Sequence, residues 1–139
     1  MMIKVFIDTN ILLYCLDRHD PGKQARAREL LKEAAGNLTG VVSTQVLQEF
    51  YVAATRKLHV DPLQAKTMVQ AFGNLETILI TPDAIANAID CSVLNKISFW
   101  DALVVVAAES AACATLWTED LSDGQVIRGV KIQNPLTSS

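Results

Sequence analysis

Three of the chain's four prolines follow a capping residue and precede a helical pattern: Asp20-Pro21, Asp61-Pro62 and Thr81-Pro82. Proline is tolerated in the first helical turn, where its missing N–H would have no partner, so each pair predicts a helix start and forbids a strand running through it. Between these starts lie short runs rich in β-branched residues. Val5, Phe6 and Ile7 form the first, Val41 and Val42 the second, and residues 77–80, 115–118 and 130–133 the rest. Strands apolar on both faces, alternating with amphipathic helices, predict an α/β fold around a mainly parallel sheet of four to five strands.

The helices between them follow from periodicity. Thr9 or Asn10 is expected to cap a short helix through Leu16. After Pro21, Ala27, Leu30, Leu31 and Ala34 repeat at i, i+3, i+4, i+7 until Gly36 stops the helix. Ser43 or Thr44 opens another, whose predicted buried stripe is Leu47, Phe50, Tyr51, Ala54 and Leu58, with Glu49 off the stripe. Further helices are expected over 62–72 and 82–95. The run LVVVAA at 103–108 suits either a strand or a buried helix. Its setting predicts helix: 98–112 opens on Ser98, is rich in alanine and holds no Gly or Pro. A polar tail is expected after Asn134-Pro135.

With 139 residues, 50% of them apolar and 19% charged, the chain is expected to form one domain over 1–139 with a substantial core. Its net charge of -3 gives no global attraction for nucleic acid, so a polyanion needs a local basic patch or a bound cation. Cys15, Cys91 and Cys113 form no C-x-x-C pair and read as buried free thiols of a reducing cytoplasm. No apolar run approaches the ~18 residues of a membrane span, and the start MMIKVFID is too short and too charged for a signal peptide.

The acids carry the functional signal. In a parallel sheet, strand ends and helix starts share one edge, and ligands bind there. Asp8 follows the first strand, and Glu49 lies in the first two turns of the helix after the second. Asp101 lies in the first turn of helix 98–112, which runs antiparallel to the strand that delivers Thr118, Glu119 and Asp120. Singly, each has a structural explanation: Asp8 as a turn cap, Asp101 three residues after Ser98 in what resembles a capping box, Glu49 as a solvated helix residue, Asp120 as a loop acid. Together they repel. Two carboxylates about 5 Å apart cost roughly 3 kcal/mol at an effective dielectric near 20, which a divalent cation would offset. An all-oxygen donor set without a His or Cys cluster suits Mg²⁺ or Mn²⁺ better than zinc, and such ions commonly bridge carboxylates to phosphate oxygens.

Four segments in order, FIDTNILLY, STQVLQEFY, SFWDALVVVAA and LWTEDLSDG, resemble the PIN domain family and, within it, the small bacterial ribonuclease toxins of VapC type; the closing GVKIQNP resembles the final strand of one subgroup. The resemblance implies a three-layer α/β/α sandwich and an endoribonuclease dependent on Mg²⁺ or Mn²⁺. It implies Asp8, Glu49, Asp101 and Asp120 as the catalytic, metal-holding acids, with Asn10 and Thr118 bracing them; Glu119 and Asp123 flank Asp120 and leave the fourth acid open. It further implies an RNA substrate, a cognate antitoxin and a homodimer.

Lys23, Arg26, Lys32, Arg56 and Lys57 are candidates to grip the RNA backbone, although an exposed helix face accounts for most of them equally. Tyr14, Phe99 and Trp100 are candidates to stack a base, with core packing or a dimer contact favoured for Trp100. His19 and His59 are not expected to form a catalytic pair. Two rival functions stand beside the nuclease. A phosphatase using Asp8 as nucleophile would want a second acid where the chain has Asn10. A non-catalytic RNA- or protein-binding module would keep the sandwich without cutting.

Overall fold

In the computed structural model, which describes residues 3–137, the chain forms twelve elements. In order they are β1 (Lys4–Ile7), α1 (Thr9–Tyr14), α2 (Pro21–Ala35), β2 (Thr39–Ser43), α3 (Thr44–Arg56), α4 (Pro62–Phe72), β3 (Glu76–Ile78), α5 (Pro82–Asn95), α6 (Phe99–Ser110), β4 (Thr115–Trp117), β5 (Val126–Ile127) and β6 (Val130–Gln133). All three predicted cap-and-proline starts are helix starts: Asp20 and Asp61 accept amide hydrogen bonds ahead of α2 and α4, and Thr81 does so ahead of α5. The first helix is capped by Asp8 itself, not by Thr9 or Asn10, and ends at Tyr14 rather than Leu16. Of the expected polar tail, Ser138 and Ser139 lie outside the described residues.

The sheet has six strands in the order β3-β2-β1-β4-β6-β5. Every pairing is parallel except β5 with β6. Helices cover both faces, giving the three-layer α/β/α sandwich. The chain winds outward from β1 through β2 to β3, then returns to place β4 on the other side of β1. That reversal makes the β1–β4 boundary the topological switch point, where an open α/β sheet leaves a crevice at its strand ends.

The sixth strand escaped the sequence reading because β5 is only two residues long and has no periodic pattern. It reaches β6 through Arg128 and Gly129, both at positive φ (51° and 79°), the signature of a type I′ hairpin. Two other readings also shift. The third strand spans 76–78 rather than 77–80, and the buried stripe of α3 is rotated toward Gln45 and Val46, which are buried with Phe50 and Ala54 while Tyr51 is exposed. Gln45 helps hold that rotation, its Nε2 donating to the Trp100 carbonyl at 3.3 Å.

The segment LVVVAA is helical, and the seven residues from Ala102 to Ala108 are all buried. A helix apolar all round belongs inside a core, and α6 lies against β2, β4 and β6 with α5 packed over it. No single helix among the described residues is long and apolar enough to cross a membrane; α5 and α6 pass that test only as a pair bent by 116°. The three cysteines are free and buried, as expected.

Gly40 of β2 lets α2 come close. A Cβ there would lie 3.1 Å from Ala34 Cβ and 3.2 Å from Ile7 Cδ1, closer than ordinary contact, so a side chain would have to push α2 or Ile7 aside. Gly40→Val should therefore lower stability by about 1–3 kcal/mol through overpacking. Urea denaturation checks this, and an unchanged midpoint would mean that α2 can move off the sheet at no cost.

Candidate active site

β1 is buried from Val5 to Ile7 and leads directly into a carboxylate. Asp8 is only 5% exposed, and its amide donates to the Trp117 carbonyl at 3.0 Å, which extends the β1–β4 ladder and fixes the residue at the switch point. Both carboxylate oxygens are held. Oδ1 accepts from the Thr9 amide at 2.7 Å and Oδ2 from the Thr118 hydroxyl at 2.8 Å. Thr118 in turn accepts from the Asp120 amide at 3.1 Å and from Asn10 Nδ2 at 3.4 Å, so its single proton is committed to Asp8.

The other acids arrive as the predicted elements require. Glu49, half-buried in α3, accepts from the Thr9 hydroxyl at 3.0 Å. Asp101 sits in the first turn of α6, its amide capped by Ser98 at 3.1 Å. Asp120 follows β4 on the rim. All four line one cavity of about 380 Å³, with Thr9, Asn10, Gln45, Lys57 and Trp100 among the other walls. Glu119 and Asp123 are turned elsewhere. Glu119 accepts from the Tyr14 hydroxyl at 2.7 Å and pairs with Lys23 at 3.1 Å, while Asp123 accepts from the Asn134 amide at 2.8 Å.

Burial pushes the Asp8 carboxyl up to about 7 despite the hydrogen bonds from Thr118 and Thr9, and the charges of Asp120 and Glu49 push it further the same way. Asp120 is also raised, by burial first and then by Asp101 and Glu119, against a hydrogen bond from Asn10. The four acids thus feel one another. Among the described residues, however, no three His, Cys, Asp or Glu side chains stand close enough to form a ready-made metal cage. The donor set nevertheless suits a hard cation, because such an ion takes one or two carboxylates and fills its remaining positions with water and substrate oxygens. Among the described residues two buried amide oxygens, Asn10 Oδ1 and Gln45 Oε1, have no hydrogen-bond partner, and both residues line this cavity. Unpaired acceptors beside acids fit a cation or its water shell.

Several expectations change here. Trp100 is 61% exposed at the cavity wall, so it is not a core residue; its ring packs edge-on against Phe99. Lys23 is tied to Glu119, and Arg26 to the Pro135 carbonyl and Glu29, which removes both from the cavity. Lys57 does line it. Gln45 was overlooked by the sequence reading, though its place four residues before Glu49 puts both on one helix face. A larger groove of about 520 Å³ between α3 and α4 is almost wholly apolar, and Lys66 is its only charged residue.

A carboxyl raised in the fold favours the protonated state, so its contribution to stability is complete below the unfolded value of 3.8 and is lost as pH rises through about 7. Between about pH 5 and pH 8.5, in chelator, the parent should lose about 2–3 kcal/mol of stability that Asp8→Asn does not lose. Urea titrations of the two proteins at both pH values measure the difference. Equal pH dependence would mean that Asp8 ionises freely in the fold.

A family model described as PIN domain matches residues 5–122. Among solved structures, the chain is similar to a toxin–antitoxin complex from Klebsiella pneumoniae (24% identity, TM-score 0.67, covering 91% of this chain and 94% of that one). It is also similar to VapBC2 from Rickettsia felis bound to a promoter DNA fragment (18%, 0.69, 94% and 98%). A third likeness is to VapC20 of Mycobacterium tuberculosis, a toxin that cleaves the Sarcin-Ricin loop (18%, 0.67, 84% and 89%). At these identities the likeness is one of fold. A search of curated proteins finds no match.

Proposed function

The chain belongs to the PIN domain family, and from that membership we propose that it is a Mg²⁺- or Mn²⁺-dependent endoribonuclease, the toxin of a toxin–antitoxin pair. The observation that carries this reading is the convergence of Asp8, Glu49, Asp101 and Asp120 on one cavity at the switch point, with Asp8 buried and no cationic side chain bonded to it. In this reading Asp8 and Asp101 hold the principal cation, and Glu49 and Asp120 complete that centre or a second, weaker one. When bound, the ion supplies positive charge to the substrate's phosphoryl oxygens and lowers the pKa of a water molecule.

The chain's own residues do the positioning. Thr9 and Thr118 fix the two Asp8 oxygens in one orientation. Thr9 also holds one oxygen of Glu49 through its hydroxyl, and among the described residues the other oxygen has no hydrogen-bond partner. Asn10 reaches both Thr118 and Asp120, tying β4 to α1. The reaction is hydrolysis: water attacks phosphorus and the 3′ oxygen leaves, giving 5′-phosphate and 3′-hydroxyl ends. Single-stranded or loop RNA is the substrate class, since a scissile phosphate must reach acids recessed at a sheet edge.

The toxin–antitoxin origin of the similar structures supports an antitoxin partner. The exposed Ile85, Ile89 and Val93, at i, i+4, i+8 on α5, support a second copy of the chain as a further partner. The free cysteines support a cytoplasmic setting.

Asp101→Asn should reduce RNA cleavage by roughly 100-fold or more while leaving the far-ultraviolet circular dichroism unchanged. An Asp101→Asn protein that cuts as well as the parent would sink the assignment. The lack of a closed ligand set among the described residues favours one other reading, a non-catalytic module. Calorimetric titration separates the two: heat from Mg²⁺ or Mn²⁺ binding that disappears in Asp8→Asn supports the enzyme, and no heat at millimolar-range metal supports the module.

A further inference from the structure

The chain's two histidines, far apart in sequence, face one space. Arg18 and His19 lie in the loop between α1 and α2, Lys57 and His59 in the turn after α3, and all four line a cleft of about 360 Å³. Lys57 also lines the acidic cavity, so one residue is common to the two linings. Among the described residues neither Arg18 nor Lys57 forms an ion pair, whereas Lys4, Lys23, Arg26 and Arg128 all do. The single carboxylate of the lining, Asp61, is occupied, its Oδ2 accepting from the Leu63 and Gln64 amides at the start of α4.

The backbone that presents these groups is specific. The His19 amide donates to Asp17 Oδ1 at 2.9 Å, which closes the loop into a turn. His59 sits at φ 55°, in the left-handed region where glycine would be free of strain.

We propose that this cleft is a phosphate-binding subsite that takes the backbone of the RNA whose scissile phosphodiester lies over the acids. The proposal rests on the nuclease reading above. Arg18 and Lys57 supply charge, and the imidazoles of His19 and His59 supply N–H donors. RNA fits better than an acidic protein segment, because the ligand must pass without a break from an acidic cavity into a cationic cleft. A phosphodiester chain offers one anion per nucleotide along that path and oxygens that share a cation with the acids. The overall charge of -3 gives a polyanion no other general attraction.

The test measures binding of a fluorescein-labelled single-stranded RNA of about 12 nucleotides by anisotropy, with Mg²⁺ present and in the Asp101→Asn background so that the probe stays intact. Arg18→Gln should weaken binding about 5- to 10-fold at low salt and reduce the slope of log affinity against log salt by about 0.7. Adding His59→Gly should also weaken RNA binding without lowering the melting temperature, because glycine relieves the left-handed strain; a purely structural role would move both together. Unchanged affinity and slope in both variants would overturn the subsite. So would an equal loss from Lys131→Gln, an exposed lysine on β6, since that would reflect bulk charge alone. Loss of a decaglutamate peptide with RNA binding retained would assign the cleft to a protein segment instead. If neither the parent nor the Asp101→Asn protein binds RNA, the nuclease reading fails as well, an outcome distinct from variants that bind RNA undiminished.

Discussion

A carboxylate taken out of water needs partners, and those that Asp8 finds explain much of the surrounding architecture. The Thr9 amide and the Thr118 hydroxyl hold its two oxygens, and these come from opposite ends of the chain, one opening α1 and the other following β4. Only a sheet that sets β4 beside β1 makes that possible. Burial still leaves the group at about 7, so hydrogen bonding has not replaced what hydration gave it. The remaining deficit is the kind that a cation supplies, and the unpaired oxygens of Asn10 and Gln45 at the same cavity share it.

Charge is sorted locally rather than globally. The acids collect at the switch point, while several cations sit in ion pairs that keep them away from it, Lys23 with Glu119 among them. Lys57 stands between the acidic cavity and the cleft of Arg18, His19 and His59. In the proposed reading, a protein of net charge -3 would thereby offer an anionic substrate both a place for cations and a short cationic path. The proposed nuclease chemistry needs both, since carboxylates alone would repel a phosphodiester.

How much of this was legible in the chain depends on how local each signal is. The cap-and-proline pairs located three helices, because a fixed φ and a capping hydrogen bond involve only a few neighbouring residues. The helical reading of 98–112 rested on the absence of Gly and Pro and held for the same reason. The rotation of α3 was invisible, since Tyr51 and Val46 are both apolar and the choice between them belongs to α6, where the Trp100 carbonyl takes Gln45. The β5–β6 hairpin was also missed: two residues carry no period, and Arg128 is not the residue expected at positive φ.

From the sequence alone came the α/β alternation and the three cap-and-proline helix starts, because each depends on steric and hydrogen-bonding rules acting over a few residues; the four acids became candidates because that alternation sets them on one sheet edge and because their motifs resemble a known family. Tertiary structure alone decided that Asp120 rather than Glu119 or Asp123 faces the cavity, that Lys23 and Arg26 are drawn off to other partners, and that Arg18 and the two histidines share a cleft. The direction of a long side chain is settled by competition among groups distant along the chain. Only the folded backbone brings those competitors within reach.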